Sequence, residues 1–254
     1  MLPLSSIEIY FLITCVFIVA GFVKGVIGLG LPSVSLALLT ATLGLKPAMA
    51  ILVIPAFFTN VWQGLSGTAL KELLKRMWVF IAVAFICTWI GGGILAGTNS
   101  SALSALLGIL LVAYAMLSLT TRQLNLPARW EATAGPLAGA VSGIFTGLTG
   151  SFVVPAVMYI RALDLPREKF IQAMGVTFTM ATVSLGVSLG GHGLFNASLF
   201  YLSIYALVPA FVGMLIGRAV STRINDALFQ RIFFVALLVM GVYIVVRALY
   251  RIHL

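Results

Sequence analysis

Charged side chains are scarce in this sequence. Asp, Glu, Lys and Arg together make up 8% of the 254 residues, whereas soluble domains carry about 25%. Apolar residues account for 61%, and the mean hydropathy is +1.16. Several separate apolar runs reach the ~20 residues that a helix needs to span a bilayer. The composition excludes an ordinary soluble domain and predicts a polytopic membrane protein.

Cysteine and histidine are also scarce, with two of each in the chain. Cys15 and Cys87 lie within apolar segments, where we expect them to pack as small hydrophobic side chains and not to form a disulfide. No cluster of His and Cys has the spacing of metal ligands, and the sequence contains no Walker-type phosphate loop. The first charge is Glu8, so a signal peptide with a basic start is not expected. The sequence therefore predicts no metal, no cofactor and no ATP hydrolysis by this chain.

Basic residues outnumber acidic residues, and the formal net charge is +9. In a soluble protein this balance would suggest nucleic acid as a partner. In an apolar chain it favours a role in membrane topology, since cytoplasmic loops carry an excess of Lys and Arg. We expect the lipid bilayer to be a partner of this protein and nucleic acid not to be one.

Eight apolar segments can be marked along the chain. They are Ile9–Leu43, Pro47–Gly64, Met77–Ala96, Ala102–Leu119, Ala132–Ile160, Phe170–Leu189, Leu199–Gly217 and Ala227–Val246. The first has 35 residues and would be about 52 Å long as one helix, which exceeds the ~30 Å hydrocarbon core. The fifth has 29 residues. Each of these two segments either crosses once obliquely or returns, as two short helices, to the side that it entered.

The distribution of Lys and Arg decides between these two topologies. If both long segments return, one face holds ten basic residues: Lys71, Lys75, Arg76, Arg122, Arg129, Arg161, Arg167, Lys169, Arg218 and Arg223. The other face then holds three, which are Lys46, Arg247 and Arg251. If both segments cross once, the same residues divide seven to six. The sequence thus favours two returning segments, with the ten-residue face in the cytoplasm and both termini on the extracytoplasmic side.

Glycines and prolines recur at a nearly constant interval along the chain. The matches are Gly21, Gly25 and Gly28 with Gly143, Gly147 and Gly150 at 122 residues, Pro47 with Pro166 at 119, and Gly93-x-x-x-Gly97 with Gly213-x-x-x-Gly217 at 120. One hairpin and three crossings in each half would invert the second half relative to the first. Inverted repeats with broken helices are typical of secondary transporters. The Gly-x-x-x-Gly pairs serve either internal packing, which we favour, or a homodimer.

The predicted fold is therefore an all-α polytopic membrane protein with two inverted repeats. Each repeat consists of a broken, re-entrant-like helix hairpin and three transmembrane helices. The first repeat spans residues 1–120 and the second spans residues 132–254. Between them, residues 121–131 form a polar linker, which the charge distribution places in the cytoplasm.

Each long apolar segment contains a glycine-rich motif that ends in proline. The first reads Gly-Phe-Val-Lys-Gly-Val-Ile-Gly-Leu-Gly-Leu-Pro over residues 21–32, and the second reads Ser-Gly-Ile-Phe-Thr-Gly-Leu-Thr-Gly-Ser-Phe-Val-Val-Pro over residues 142–155. Glycine weakens a helix and proline ends one, so each motif predicts a helix, an extended break and a second helix. Non-helical backbone at membrane depth survives only where protein or a water-filled cavity satisfies its polar groups. We interpret the two breaks as the two halves of one substrate site.

This pair of motifs, together with the chain length, the repeat and the Gly-x-x-x-Gly pairs, resembles the TauE/SafE sulfite-exporter family, also called the toluene-sulfonate uptake permeases. The resemblance covers essentially the whole chain. It implies a bacterial inner-membrane permease for a small sulfur-containing anion such as sulfite, a sulfonate or sulfoacetate. The second motif departs from the family at one position, because Ser151 stands where the family often has another glycine.

The two breaks provide donors for an anion. The first N–H groups of a half-helix are unpaired and carry about half a positive charge, and half-helices are expected to begin near Pro32 and Pro155. The candidate substrate-binding residues in the breaks are Lys24, Gly25, Gly28, Gly30, Pro32, Ser33, Thr146, Gly147, Thr149, Gly150, Ser151 and Pro155. The alternative role for the glycines is tight helix packing, which small residues commonly provide in lipid.

Lys24 and three further polar side chains have two interpretations each. Lys24 is the sole basic residue of the first break, and its counterpart in the second is Thr146; it is either a counter-charge for the anion or a lysine that reaches to the membrane interface. Asn60, Gln63 and Thr179 either contact the ligand or bond neighbouring helices. Asn60 is the strongest candidate of these three, because an amide can donate two hydrogen bonds to an oxyanion.

The sequence favours a secondary transporter of sulfur-containing anions that works by alternating access, and not an enzyme. One alternative is an anion channel of the same fold. A second is an intramembrane serine protease, which would pair Ser151 or Ser142 with His192. His192 is expected near the outer surface, where it is either a pH-sensitive gate or an ordinary loop histidine, and we favour the loop histidine.

Overall fold

The computed structural model of the protein describes residues 6–120 and 126–252. Its helices are α1 (Ser6–Ile27), α2 (Leu31–Leu43), α3 (Leu45–Leu65), α4 (Leu70–Gly97), α5 (Ser100–Thr120), α6 (Ala128–Thr149), α7 (Ala156–Ala162), α8 (Arg167–Gly191), α9 (Ala197–Val220) and α10 (Asp226–Ile252). The described residues contain no strand. Of these helices, seven are long and apolar enough to cross a membrane. The predicted all-α polytopic membrane fold is confirmed.

Both long apolar segments are broken where the motifs predict a break. The first break separates α1 from α2 and contains Gly28 and Gly30, whose φ angles are +78° and +105°. The second break separates α6 from α7 and begins at Gly150, whose φ is +75°. Side chains disfavour these positive φ values, so glycine permits both turns. Pro32 lies in the first turn of α2, where its missing N–H would be unpaired in any residue.

One set of helix ends meets at a single face, which we call the basic face. Three ion pairs join the starts of α4, α6, α8 and α10: Arg76–Glu131 at 2.6 Å, Lys169–Glu72 at 2.7 Å and Arg167–Asp226 at 2.9 Å. Near the end of α3, Gln63 donates to the carbonyl of Ile171 at 2.8 Å. The backbone N–H of Leu126 donates to the carbonyl of Ala162 at 2.9 Å. α6 therefore begins at the basic face, and α7 ends there.

The other helix ends form the opposite face. Tyr10 near the start of α1 packs edge-on against Tyr205 of α9, with ring centroids 4.8 Å apart. Thr40 near the end of α2 lines a cavity with Ser100 at the start of α5 and Arg247 near the end of α10. α1 therefore begins at the opposite face, and α2 ends there. This geometry supports the returning topology, although Arg122 of the ten-residue set lies outside the described residues.

The helices of the two halves pair in a matching way. α1 packs along α9 and α6 packs along α4, while α3 packs on α8 and α5 packs on α10. A Cβ on Gly25 would overlap with the carbonyl of Met214, and a Cβ on Gly147 would overlap with the carbonyl of Thr88. These two motif glycines lie inside helices and bring neighbouring backbones close together. The matching contacts support the predicted inverted repeat.

The pairing of Gly-x-x-x-Gly motifs across the repeat needs correction. Gly217 packs against Phe22 and Gly25 of α1, which favours internal packing over a dimer for this pair. No described atom lies within 4 Å of a Cβ placed on Gly97. The residue that matches Gly217 is Gly91, which contacts Ile144 and Gly147 of α6. The match fails for Gly97 because helix rotation, and not sequence spacing, decides which glycine faces the partner helix.

α2 is the central helix of the fold. At 13 residues it is too short to span a ~30 Å core, and it contacts α1, α3, α5 and α10. Eight of its residues are buried: Leu31, Ser33, Ser35, Leu36, Ala37, Leu39, Thr40 and Leu43. Because neighbouring helices enclose it, its positive N-terminal end faces protein and not lipid. This position brings the first break toward the second.

Candidate functional site

The two breaks meet at a small central cavity of about 20 Å³. It is lined by Pro32, Ser33, Leu52, Ala56, Thr146, Gly150, Ser151, Phe152, Val153, Phe178, Ala181, Thr182 and Leu185. The first turn of α2 and the start of the second break thus face each other across α3 and α8. Five predicted site residues come together here, which are Pro32, Ser33, Thr146, Gly150 and Ser151.

A larger cavity of about 280 Å³ lies toward the basic face, and we call it the basic vestibule. Its walls are Lys24, Gly25, Val26, Ile27, Gly28, Trp62, Gln63, Ser66, Arg167, Ile171, Met214, Leu215, Arg218 and Ser221. Arg167 is paired with Asp226, whereas none of the ion pairs among the described residues involves Arg218. The predicted residues Lys24, Gly25, Gly28 and Gln63 belong to this cavity.

Lys24 is a buried cation with neutral partners. Its side chain is 4% exposed, and Nζ donates to Asn60 Oδ1 and, at 3.2 Å, to Thr59 Oγ1. None of the ion pairs among the described residues involves Lys24. A lysine that reaches to the interface would place its ammonium group in water, so the burial favours the role of counter-charge. An unpaired buried charge is costly, and a bound anion would lower that cost.

The side-chain amide group of Asn60, next to the Lys24 ammonium, has a donor without a partner among the described residues. Its side chain is fully buried, Oδ1 accepts from Lys24, and Nδ2 has no hydrogen-bond partner among the described residues. Buried polar groups are rarely left unpaired. Lys24 and Asn60 therefore present an ammonium and an amide N–H that an oxyanion can accept from.

One stripe of α3 connects the two cavities. Leu52 and Ala56 line the central cavity, and Gln63 lines the basic vestibule. Asn60 lies between them, at helical spacings of four and three residues that keep all four side chains on one face. The Lys24–Asn60 pair thus occupies the stretch of α3 that separates the vestibule from the central cavity.

The second break carries hydroxyl groups and no charge. Thr146 donates to the carbonyl of Ser142 at 2.7 Å, and Thr149 donates to the carbonyl of Phe145 at 2.7 Å. Ser151 is 2% exposed, and its Oγ has no partner among the described residues. The serine that departs from the family motif therefore provides a free hydroxyl in the central cavity.

Six predicted site residues line neither the central cavity nor the basic vestibule, which are Gly30, Asn60, Gly147, Thr149, Pro155 and Thr179. Gly30 faces Val23 and Phe233, and Gly147 packs against α4. Pro155 precedes the seven-residue helix α7. Thr179 lines a separate apolar cavity of about 180 Å³, and its hydroxyl donates to the carbonyl of Gly175 at 2.7 Å. Thr149 also lies outside both cavities, although its hydroxyl accepts from the Ser151 N–H at 3.3 Å.

Several lining residues were not among the predicted site residues. Thr182, Phe152 and Phe178 line the central cavity, and Arg167 and Arg218 line the vestibule. The repeat interval matches Thr182 to Gln63, and this was the available signal for that residue. The sequence favoured a topological role for both arginines, because local sequence does not show that they share a cavity with Lys24.

His192 is not brought to either serine. It caps the end of α8, its ring packs against Trp89 with centroids 5.0 Å apart, and Nδ1 lies 2.7 Å from the carbonyl oxygen of Ser188. The hydroxyls of Ser142 and Ser151 have no hydrogen-bond partner among the described residues. The arrangement does not form the serine–histidine pair of a protease. The described residues also contain no group of three or more His, Cys, Asp or Glu side chains that could hold a metal ion.

Comparison with known proteins gives one match. The family model described as "Sulfite exporter TauE/SafE" matches residues 13–244, which is nearly the whole chain. No curated protein and no solved structure matches. The matched range includes both breaks and every residue of the central cavity and the basic vestibule.

Proposed function

Because the chain belongs to the TauE/SafE sulfite exporter family, we propose that it is a secondary transporter that carries a small sulfur-containing anion across the membrane by alternating access. The substrate class is that of sulfite, sulfonates and sulfoacetate. Family membership argues for transport and against enzymatic catalysis, and the seven apolar helices fit a multi-pass membrane protein. We place it in the bacterial inner membrane.

The observation that carries this proposal is the buried ammonium group of Lys24. It is bonded to the neutral oxygens of Thr59 and Asn60, next to the free amide N–H of Asn60. An anion at this point would gain a charge-assisted hydrogen bond and a second donor. Gln63 is directed elsewhere, since its amide donates to the carbonyl of Ile171.

The sizes of the two cavities suggest how the anion moves. The central cavity of about 20 Å³ has room for about one water molecule, which is too small for a sulfur oxyanion. The basic vestibule of about 280 Å³ is large enough. The anion would enter the vestibule, release Lys24 from Asn60, and occupy the central cavity only after the two halves move apart there. This requirement favours a carrier over an open channel.

The orientation follows from the basic residues. The basic face carries most of the loop lysines and arginines of the described residues, so we place it in the cytoplasm. α1 begins at the opposite face and α10 ends there, so both termini are extracytoplasmic in this proposal. The vestibule would then accept anions from the cytoplasm.

A thermal-shift screen on detergent-purified protein tests the proposal, because a ligand of the folded state raises the melting temperature. The ligands are sulfite, sulfate, thiosulfate, taurine, sulfoacetate and small carboxylates. We expect a sulfur oxyanion to stabilise the wild type. Lys24→Ala should weaken its affinity at least about tenfold, or about 1.4 kcal/mol. Lys75→Ala, which removes an exposed lysine of the basic face, is the matched control and should leave the affinity unchanged.

Reconstituted vesicles separate a carrier from a channel. A carrier gives saturable uptake of labelled anion that is accelerated by unlabelled anion on the other side, whereas a channel gives no such acceleration. A melting temperature that no sulfur oxyanion raises, together with stabilisation by an unrelated solute, would contradict the proposed substrate class.

A further inference from the structure

A second polar cavity lies at the opposite face, away from the breaks. Its volume is about 60 Å³, and its polar lining residues are Thr40, Ser100, Ser101, Ser104 and Arg247. It lies between the end of α2, the starts of α3 and α5, and the end of α10. None of the described residues that line it is acidic. The transport route proposed above does not use any of these side chains.

The hydroxyl of Thr40 has no partner in this cavity. The nearest hydroxyls of α2 on either side bond back to the helix, since Ser35 donates to the carbonyl of Leu31 at 2.7 Å and Thr42 donates to that of Leu38 at 2.9 Å. Thr40 is 7% exposed, yet its Oγ1 has no hydrogen-bond partner among the described residues. A helical threonine ordinarily satisfies its hydroxyl on a preceding carbonyl. The exception points to a ligand in the cavity.

Two long helices direct their N-terminal ends at the same place. α3 begins at Leu45 after Gly44, which has no side chain to cap the first N–H groups. α5 begins at Ser100, and the N–H of Ser101 donates to Asn99 Oδ1 at 2.9 Å. Each helix has 21 residues. Free N–H groups and the helix dipoles make this junction favourable for negative charge.

Arg247 adds a full positive charge. It is half-buried, and none of the ion pairs among the described residues involves it. A guanidinium group presents a planar set of donors that matches two oxygens of an oxyanion. The volume of about 60 Å³ has room for about four water-sized groups, which is the size of a sulfite or phosphate group.

We propose that this cavity is a binding site for a small oxyanion, held by the guanidinium of Arg247, the hydroxyl of Thr40 and the first N–H groups of α3. The serines at the start of α5 provide further hydroxyls. The site is separate from Lys24 and lies at the other face of the protein. A free sulfur oxyanion and the phosphate of an anionic lipid headgroup share this chemistry. A role as a holding point for the transported anion rests on the proposed function, whereas binding itself does not.

Calorimetric titration of the full chain in detergent tests the site, with sulfite, thiosulfate and phosphate as probes. Titrations in the Lys24→Ala background isolate binding that does not need Lys24. In that background we expect Arg247→Gln and Thr40→Val each to weaken binding at least tenfold. Thr40→Val keeps the side-chain shape, and its melting temperature should not fall. Thr42→Val makes the same substitution on α2 at an exposed position that does not line the cavity, and it should change binding less than twofold.

The outcomes separate this inference from the proposed function. If Lys24-dependent binding persists but the Lys24→Ala protein binds no probe, the new site is wrong and the transport proposal stands. An equal loss of binding in Thr42→Val and Thr40→Val would mean that the cavity hydroxyl is not a ligand, and it would overturn the site. If phosphatidylglycerol, but not phosphatidylcholine, displaces the probe from wild type, the site holds and its natural occupant is a lipid headgroup. If no displacement occurs, the site holds a free oxyanion.

Discussion

The two helix breaks occupy matching places in the two halves of the chain and carry different chemistry. The first is a short turn of residues 28–30, and Lys24 lies one turn before it with its ammonium bonded to Asn60. The second runs over residues 150–155, and the polar side chains that it and the end of α6 present to the central cavity are the hydroxyls of Ser151 and Thr146. One break supplies charge and the other supplies neutral hydrogen-bonding groups.

Under the proposed function, this difference would divide the binding of one anion between two related elements. A single buried cation is enough to select an anion, and a second one nearby would repel the first. Hydroxyl groups can donate to an oxyanion without adding a desolvation cost of that size. The glycines, in contrast, are used in the same way by both halves, because Gly25 and Gly147 each allow one helix to approach another closely.

The largest effect is expected at the close helix packing that both halves share, and it is a loss of stability. Gly25→Ala and Gly147→Ala each place a methyl group onto a backbone carbonyl of the partner helix, so the helices must separate. We expect each to lower stability by about 3 kcal/mol, near the upper end for overpacking. Thermal unfolding in detergent measures the change, with Gly97→Ala as a control that has no described atom within 4 Å of the new methyl group. Tolerance of either change would show that the halves do not depend equally on this packing.

The second largest effect is a loss of anion affinity, and it tests the first break, which carries the charge. Asn60→Asp places a carboxylate where Asn60 Oδ1 now accepts from Lys24, so the lysine gains an internal counter-ion. We expect anion affinity to fall at least about tenfold, or about 1.4 kcal/mol, because the anion must displace the carboxylate. Asn60→Leu is the control, since it removes the amide without adding charge and should cost less affinity. An Asn60→Asp protein with wild-type affinity would mean that Lys24 is not the counter-charge.

The smallest effect tests the neutral break. Thr146→Val and Ser151→Ala each remove one hydroxyl from the central cavity, and a neutral hydrogen bond contributes about 1 kcal/mol. We expect each to weaken anion affinity by about threefold to fivefold. The melting temperature of the free Ser151→Ala protein should not fall, because its hydroxyl has no partner among the described residues. A loss as large as that from Lys24→Ala would give both breaks equal weight and contradict the division of tasks.

The sequence anticipated the parts of the fold that depend on local composition. Hydropathy marked all seven helices of the described residues that are long and apolar enough to cross a membrane. Glycine and proline located both breaks, because these residues act on the backbone where they stand. Five of the fifteen predicted site residues line the central cavity and four line the vestibule. Thr179, which the repeat interval of 119 residues matches to Asn60, faces a separate apolar cavity.

The features that the sequence did not reveal are contacts between distant helices. The equivalence of Gly91 and Gly217 depends on how each helix is rotated against its partner. The cavity of Thr40, Ser100 and Arg247 joins three helices that are far apart in the chain, and each residue alone looks like an ordinary helix-end residue. Contacts between such distant residues depend on how the helices pack, and local sequence patterns do not determine that packing.

The sequence by itself determined that this protein spans a membrane, that two of its segments are broken, and that one face is basic. These properties follow from apolar length, backbone preference and charge counts, all of which are local or additive. Only the tertiary structure decided that Lys24 bonds to Asn60, that the two breaks share a cavity, and that Arg247 meets an unpartnered threonine. Those outcomes depend on the rotation and depth of packed helices, and packing fixes these only when the whole chain is folded.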